Sequence, residues 1–170
     1  SVTGEAYMEV VEDANHPLIV SARHNDIAAL GTRFTVMAYE DEPAVATTLL
    51  DGSVKVSLPG EKETTILTPG QQASIGNTSG NIKVKEVDAP NIAAWIHGIL
   101  SLKDCSVQEF MNQLSRWYDV DVKYAGKVPQ QRFGGMINRN APLSDVLAAT
   151  SDAGGIHTKL EGKTIIVLSH

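Results

Sequence analysis

The chain has 170 residues, of which 42% are hydrophobic and 20% are charged, values that are ordinary for a folded globular protein. Its formal net charge of −6 provides no basic surface for nucleic acid, so we expect no nucleic-acid partner. No apolar run is long enough to cross a bilayer, and the single Cys105 excludes an internal disulfide and a cysteine-rich metal site.

The first half of the chain consists of short runs of alternating apolar and polar residues, divided by turn signals about every ten residues. The β-rich segment 28–39 places Phe34, Val36 and Ala38 on one face. Its lone Gly31 indicates a bulge or a close approach of another backbone segment. This pattern predicts an all-β domain over residues 1–88, an antiparallel sandwich or roll.

The segment 95–124 predicts a strand, a capped helix and a second strand in that order. Ser106 and Glu109 fit a capping box, which marks the start of the helix. Apolar residues at helical spacing follow, and they predict a helix laid on a sheet. These residues are Val107, Phe110, Met111, Leu114 and Trp117. After the helix, apolar residues alternate with charged ones, as in a half-buried strand.

The rest of the chain repeats the helix-and-strand scheme. A strand over 132–138 contains the pair Gly134-Gly135, which predicts a bulge. Asn140 is the expected cap of a second helix with Pro142 in its first turn, and a glycine pair at 154–155 ends it. From Ile99 the predicted order is β-α-β-β-α-β-β. The prediction is therefore two domains, 1–88 and 95–170, joined by a linker at 89–94, the second being a small α+β domain.

The residues form no motif for catalysis, and we expect no enzyme, no catalytic residues, no metal and no cofactor. None of the five histidines stands in an HxH or HExxH arrangement. The histidines are His16, His24, His97, His157 and His170. We interpret each of them as an ordinary surface or core residue.

Two features of the second domain are candidates for binding a partner. Arg116-Trp117-Tyr118 ends the first predicted helix with a cation and two large rings, which are either packing residues or interface anchors. The strand from Phe133 to Met136 is either a plain bulged strand or an edge that accepts another strand. The candidate partner-binding residues are Arg116, Tyr118, Phe133 and Met136.

Eight segments of this chain, in order, resemble the periplasmic part of FecR-type anti-sigma factors, particularly the form common in Bacteroidetes. In the first domain they are GEAYMEV at 4–10, HPLIV at 16–20, LGTRFTVMAY at 30–39, LLDGSVKV at 49–56 and LTPGQQA at 67–73. In the second domain they are WxxGxLxxxD at 95–104, LSRWYDVDV at 114–122 and RFGGMINRNAPLSDVL at 132–147.

The resemblance implies a FecR-like β domain, here truncated at its N-terminus, followed by a domain similar to the secretin/TonB short N-terminal domain. It also implies the periplasmic part of a single-pass inner-membrane protein. Its expected partner is the signalling domain of a TonB-dependent outer-membrane transducer. Contact with an extracytoplasmic-function sigma factor is expected only through a missing cytoplasmic segment, and contact with the membrane only through a missing transmembrane helix.

The function expected from the resemblance is regulation of that sigma factor in response to a signal received in the periplasm. An envelope glycan-binding or structural β module is the alternative, although an aromatic fraction of 5% leaves few stacking platforms for sugars. An enzyme would instead require titratable groups that converge in a pocket.

Overall fold

The computed structural model describes residues 1–13, 16–23, 25–60, 64–77 and 80–168, without the side chains of 153 and 154. It divides into two compact units, Ser1–Ala93 and Ala94–His170, called here the β unit and the α+β unit. His24 and His170, two of the histidines interpreted above as ordinary residues, lie outside the described part. Among the described residues, no helix is long and apolar enough to span a membrane.

The described residues of the β unit form two antiparallel sheets. Its strands are β1 (Gly4–Glu9), β2 (Leu18–Ala22), β3 (Asn25–Ala29), β4 (Arg33–Ala38), β5 (Ala44–Asp51), β6 (Val54–Ser57), β7 (Thr64–Leu67), β8 (Gln71–Gly76) and β9 (Ile82–Glu86). One sheet has the order β1-β4-β5-β8-β9, and the other has the order β2-β3-β6-β7. The unit ends in the short helix α1 (Ala89–Ile92), which occupies most of the predicted linker.

Alternation of side chains explains the core of the β unit, because residues on one face of each sheet form a single buried cluster. Phe34, Val36 and Ala38 are all fully buried, which confirms the predicted inward face of this strand. The structure differs from the sequence interpretation over 28–39, where a turn at Leu30–Gly31 sends β3 and β4 into different sheets. The strand β3 also begins earlier, within a polar stretch.

Gly31 confirms the predicted close approach. Its φ is +68°, and a Cβ at this position would lie 2.7 Å from the Cβ of Glu12. Gly52 sits against the same turn, since its own Cβ would come within 2.4 Å of the Gly31 carbonyl oxygen. These two glycines allow the turns between strands to pack backbone against backbone.

The α+β unit begins with a 3-10 helix (Ala93–His97) that starts one residue before the boundary. Its elements are β10 (Ile99–Ser101), β11 (Cys105–Ser106), α2 (Val107–Tyr118), β12 (Asp121–Ala125), β13 (Arg132–Phe133), β14 (Met136–Asn138), α3 (Leu143–Gly154), β15 (Thr158–Glu161) and β16 (Thr164–Leu168). Since β10 with β11, and β13 with β14, are each one interrupted strand, the predicted β-α-β-β-α-β-β order is confirmed.

Over residues 94–168, the described part of this unit, three sets of strands pair. The sheet β12-β16-β15 joins a parallel pair, β12 with β16, to the antiparallel β15–β16 hairpin. The strand β10 pairs with β14, and β11 pairs with β13, both antiparallel. The predicted bulge corresponds to the break between β13 and β14, which falls at Gly134-Gly135.

The helices begin and end where side chains and backbone satisfy their terminal groups. At α2 the Glu109 amide donates to Ser106 Oγ at 3.2 Å and the Ser106 amide donates to Glu109 Oε2 at 2.8 Å, which confirms the capping box. Asn140 does not cap α3, because the cap position is Pro142 and makes no side-chain hydrogen bond. Gly155 ends α3 at φ +62°.

Candidate functional site

The end of α2 holds the turn that follows β14. The Tyr118 hydroxyl donates a hydrogen bond of 2.7 Å to the Ala141 carbonyl, and burial raises the pKa of Tyr118. The guanidinium of Arg139 lies 5.4 Å from the centroid of the Trp117 ring, which is a cation–π distance. Both rings are half-buried against the core of the unit. They therefore anchor the 139–141 turn, which fits the packing interpretation of this motif.

Arg116 lies in the last turn of α2, where it is half-exposed and has an interaction of its own within the chain. A cation in the last turn also suits the negative end of the helix dipole. Of the four candidate partner-binding residues, Arg116 and Tyr118 are thus engaged in intramolecular contacts.

Phe133 and Met136 belong to the same interrupted strand but occupy opposite environments. Phe133 is only 8% exposed, and its ring lies 4.9 Å from that of Phe110 at an angle of 58°. Met136 is 73% exposed. Phe133 therefore supports the strand from the core side, whereas Met136 is accessible to a partner.

Two ionic groups fix the beginning of this strand. Arg132 Nε lies 2.5 Å from Asp104 Oδ1, and its guanidinium also donates to the Asp104 carbonyl. Next to this pair, burial and the Glu109 carboxylate raise the pKa of the Cys105 thiol to about 11, against an opposing effect of Arg132. The thiol is consequently protonated at physiological pH.

One side of β14 lies open. In the antiparallel pair with β10, Leu102 N–H donates to the Gly135 carbonyl and Arg139 N–H donates to the Gly98 carbonyl. The pair Leu100–Ile137 lies between these two bonds. Within the described residues no strand other than β10 pairs with β14. The segment 134–138, called here the β14 edge, consists of β14 and the two glycines before it and contains no charged residue.

The histidines occupy unrelated positions. His16 Nδ1 lies 2.9 Å from Asp13 Oδ2 on the surface, and His157 Nδ1 lies 3.1 Å from Ser151 Oγ. His97 is exposed at the end of the 3-10 helix. In the described part of the chain, no group of three or more His, Cys, Asp or Glu could hold a metal ion.

The sequence analysis did not include Arg139 or Asn138 among the candidate partner-binding residues. Arg139 is 22 positions away from Trp117 in the chain, so no local pattern indicates their contact. The polar run 138–140 after an apolar strand was the available signal, but a polar run of this kind also occurs in ordinary turns.

The chain matches two family models. The model described as "FecR protein" matches residues 2–55, within the β unit, and the model described as "FecR, C-terminal" matches residues 99–167, within the α+β unit. The sequence matches none of the curated proteins compared with it.

Two crystal structures of a protein from Parabacteroides distasonis, described as a candidate anti-sigma factor, are similar to this chain. Sequence identity is 29% in both, with TM-scores of 0.86 and 0.85. The similarity covers 99% of this chain and 78% of each of those chains. It therefore extends over both units.

Proposed function

Because the chain belongs to the FecR family of anti-sigma factors, we propose that it is the periplasmic, signal-receiving part of a single-pass inner-membrane anti-sigma factor. The signal would come from the signalling domain of a TonB-dependent outer-membrane transducer. The observation that carries the proposal is the agreement of both units with the family, one model matching in each.

The α+β unit is the proposed receiver. Its likeness to the secretin/TonB short N-terminal domain remains a prediction. Support for the proposal comes from the uncharged β14 edge, because an open strand edge can accept another strand through main-chain hydrogen bonds. Met136 adds an exposed apolar side chain to this edge.

Signal transfer would follow from a difference in affinity. A transducer domain that binds one conformation of the receiver more tightly than another shifts their populations, whereas equal affinities shift nothing. The sigma factor would respond through the cytoplasmic segment expected from the resemblance. The receiver thus acts by binding, and we propose no catalytic step.

The test is titration calorimetry of the 170-residue chain with the signalling domain of the transducer encoded beside it. Saturable binding at micromolar concentrations is the expected result, and the signalling domain of an unrelated transducer is the control. Absence of heat at tens of micromolar, in a sample shown by circular dichroism to be folded, would overturn the proposal.

A further inference from the structure

We propose that the partner of the α+β unit adds a β-strand to the β14 edge, pairing with Met136 and Asn138, and that this strand has an acidic residue near Arg139. The inference rests on the proposed function, because it takes the transducer signalling domain as the partner. It specifies which backbone groups bind and what chemistry the partner strand needs.

The hydrogen-bond pattern of the β10–β14 pair shows which backbone groups are open. In an antiparallel pair, alternate residues direct both their N–H and C=O groups to the neighbouring strand. The Gly135 carbonyl and the Arg139 amide face β10, so the residues between them at 136 and 138 direct these groups to the opposite side. The Asn138 carbonyl accepts from the Ala141 amide at 3.0 Å. Both backbone groups of Met136 and the amide of Asn138 therefore face the open side.

The glycine at 134 has space around it that the chain itself does not fill. A Cβ at Gly134 would meet no atom within 4 Å, and its backbone does not adopt the left-handed conformation that Gly135 does at φ +110°. Neither packing nor φ within this chain requires a glycine at 134. A glycine next to a strand leaves room for the close approach of another backbone, which is the arrangement that strand addition produces.

The outer strands β12 and β15 of this unit carry exposed charges, and β14 does not. The strand β12 exposes Asp121 and Lys123, and β15 exposes Lys159 and Glu161. Charged side chains on edge strands discourage pairing with other chains. The strand β10 is also uncharged, but its side chains are buried or half-buried, whereas Met136 and Asn138 of β14 are exposed. The β14 edge is thus the one best suited to accept a strand.

Charge complementarity defines the expected partner strand. Arg132 and Arg139 flank the edge, and no acidic residue lies between them in a chain of net charge −6. Arg132 is paired with Asp104, whereas Arg139 stacks on Trp117, and a ring does not neutralise its charge. An Asp or Glu of the partner near the end of β14 would therefore gain a charge-assisted contact with Arg139.

Substitutions at Met136 test the pairing by calorimetry with the same signalling domain. Met136→Pro removes an amide proton that faces the open side, so the fold is expected to survive while affinity falls at least about 10-fold. Met136→Lys places a charge on the edge and is expected to have a similar effect without a backbone change. Leu160→Lys is the matched control, because Leu160 is a 45% exposed apolar residue on β15, a different edge. The Leu160→Lys protein should bind the signalling domain with the affinity of the wild type.

Amide hydrogen exchange followed by NMR supplies a readout that needs no substitution. The amides of Met136 and Asn138 are expected to exchange rapidly in the free chain and to slow by at least about 10-fold at saturation, while the Ile137 amide is protected in both states. Arg139→Gln is expected to weaken binding several-fold and to reduce its dependence on salt.

Unchanged exchange at Met136 in a saturated complex, or wild-type affinity in both Met136 variants, would overturn the strand addition and leave the proposed function intact. Failure of the wild-type chain to bind would overturn the proposed function, and this inference with it. A dimer in sedimentation experiments that Met136→Lys abolishes would assign the edge to a second copy of the chain and overturn the choice of partner.

Discussion

At the scale of single residues, the turn at Gly31 and Thr32 shows how closely backbone segments pack in the β unit. The Thr32 side chain is buried, and both Gly31 and Gly52 lie against neighbouring backbone. Side chains larger than hydrogen cannot occupy either glycine position without a shift of the neighbouring turn. The conformation of these turns is therefore fixed by packing as well as by φ.

Gly52→Ala is expected to destabilise the β unit much more than Gly60→Ala. The two residues have similar φ values, +84° and +79°, but only at Gly52 would the new Cβ meet backbone, at 2.4 Å, while nothing lies within 4 Å at Gly60. Left-handed strain alone costs about 1 to 2 kcal/mol, and the clash should raise the loss at Gly52 to about 3 kcal/mol or more. Urea denaturation measures both losses. Equal losses would show that the turn at Gly31 moves aside for the new Cβ without a cost in stability.

The thiol of Cys105 should be unreactive at pH 8. Its pKa is raised from 9.0 to about 11, which lowers the thiolate fraction about 100-fold relative to the unfolded chain. Reaction with an aromatic disulfide reagent, compared with and without denaturant, tests this expectation. A rate in the folded protein close to that in the denatured protein would contradict it.

The same shift predicts a pH dependence of stability. Well below pH 9 the thiol is protonated in both states, so its full contribution is present there. Between pH 9 and about 11 the unfolded chain ionises first, and the free energy of unfolding falls as pH rises. The fall should be smaller in Cys105→Ala, and the difference between the two proteins isolates this group from the tyrosines.

Phe133→Ala should lower the free energy of unfolding strongly, and Met136→Ala should hardly change it, because only Phe133 is buried. Loss of the Phe133 ring leaves a cavity beside Phe110 and should cost about 3 to 5 kcal/mol. Met136 is 73% exposed, so its truncation should change the free energy of unfolding by no more than about 0.5 kcal/mol. Thermal and urea unfolding provide the measurement. A stable Phe133→Ala protein would mean that this ring is not a core residue.

At the scale of elements, α2 is buried along one face and capped at both ends. Its inward face consists of four fully buried residues, and its first turn is closed by the reciprocal bonds of Ser106 and Glu109. At its other end Asp119 adopts a left-handed conformation, φ +53°, and donates its amide to the Ser115 carbonyl. The helix is thereby satisfied at both termini and presents its rings to the turn after β14.

Ser106→Ala and Glu109→Ala should each cost about 1 kcal/mol, and the double substitution should cost less than the sum. The reason is that the two side chains satisfy the same end of α2, so removing one already impairs the other. Gln108→Ala, an exposed neighbour in the same turn, is the control and should be close to neutral. A strictly additive pair would show that the two hydrogen bonds act independently.

At the scale of the whole molecule, each unit has a hydrophobic core of its own. The buried cluster of the β unit is formed entirely by residues before Ala93, and that of the α+β unit entirely by residues after it. The family models divide in the same way, one matching in each unit. Each unit is therefore expected to form its core from its own residues.

The two units, expressed separately as 1–93 and 94–170, should each fold. Each core is built from its own elements, so neither depends on buried residues of the other. Far-ultraviolet circular dichroism and cooperative thermal unfolding of the two fragments test this. A fragment that unfolds without a cooperative transition would show that its core is too small to stand alone.

The sequence alone predicted most elements and the order of the α+β unit, because periodicity records which side of each element is buried. The stripe on α2, the capping box and the inward face of β4 are local features, and the structure confirms all three. The pattern of short strands and turn signals predicted the all-β first half for the same reason. The resemblance to FecR-type anti-sigma factors likewise rested on short local segments of the sequence.

Tertiary structure alone decided how the segments pair. The alternation over 28–39 does not indicate that the chain crosses from one sheet to the other at Gly31. That crossing depends on which strands pair with β3 and β4, and these strands are separate segments of the sequence. The burial of Phe133 and the exposure of Met136 depend on Phe110 and on β10, and the stacking of Arg139 depends on Trp117. A strand edge is open when no other strand pairs with it. The edge can therefore be identified only from the positions of all the neighbouring strands.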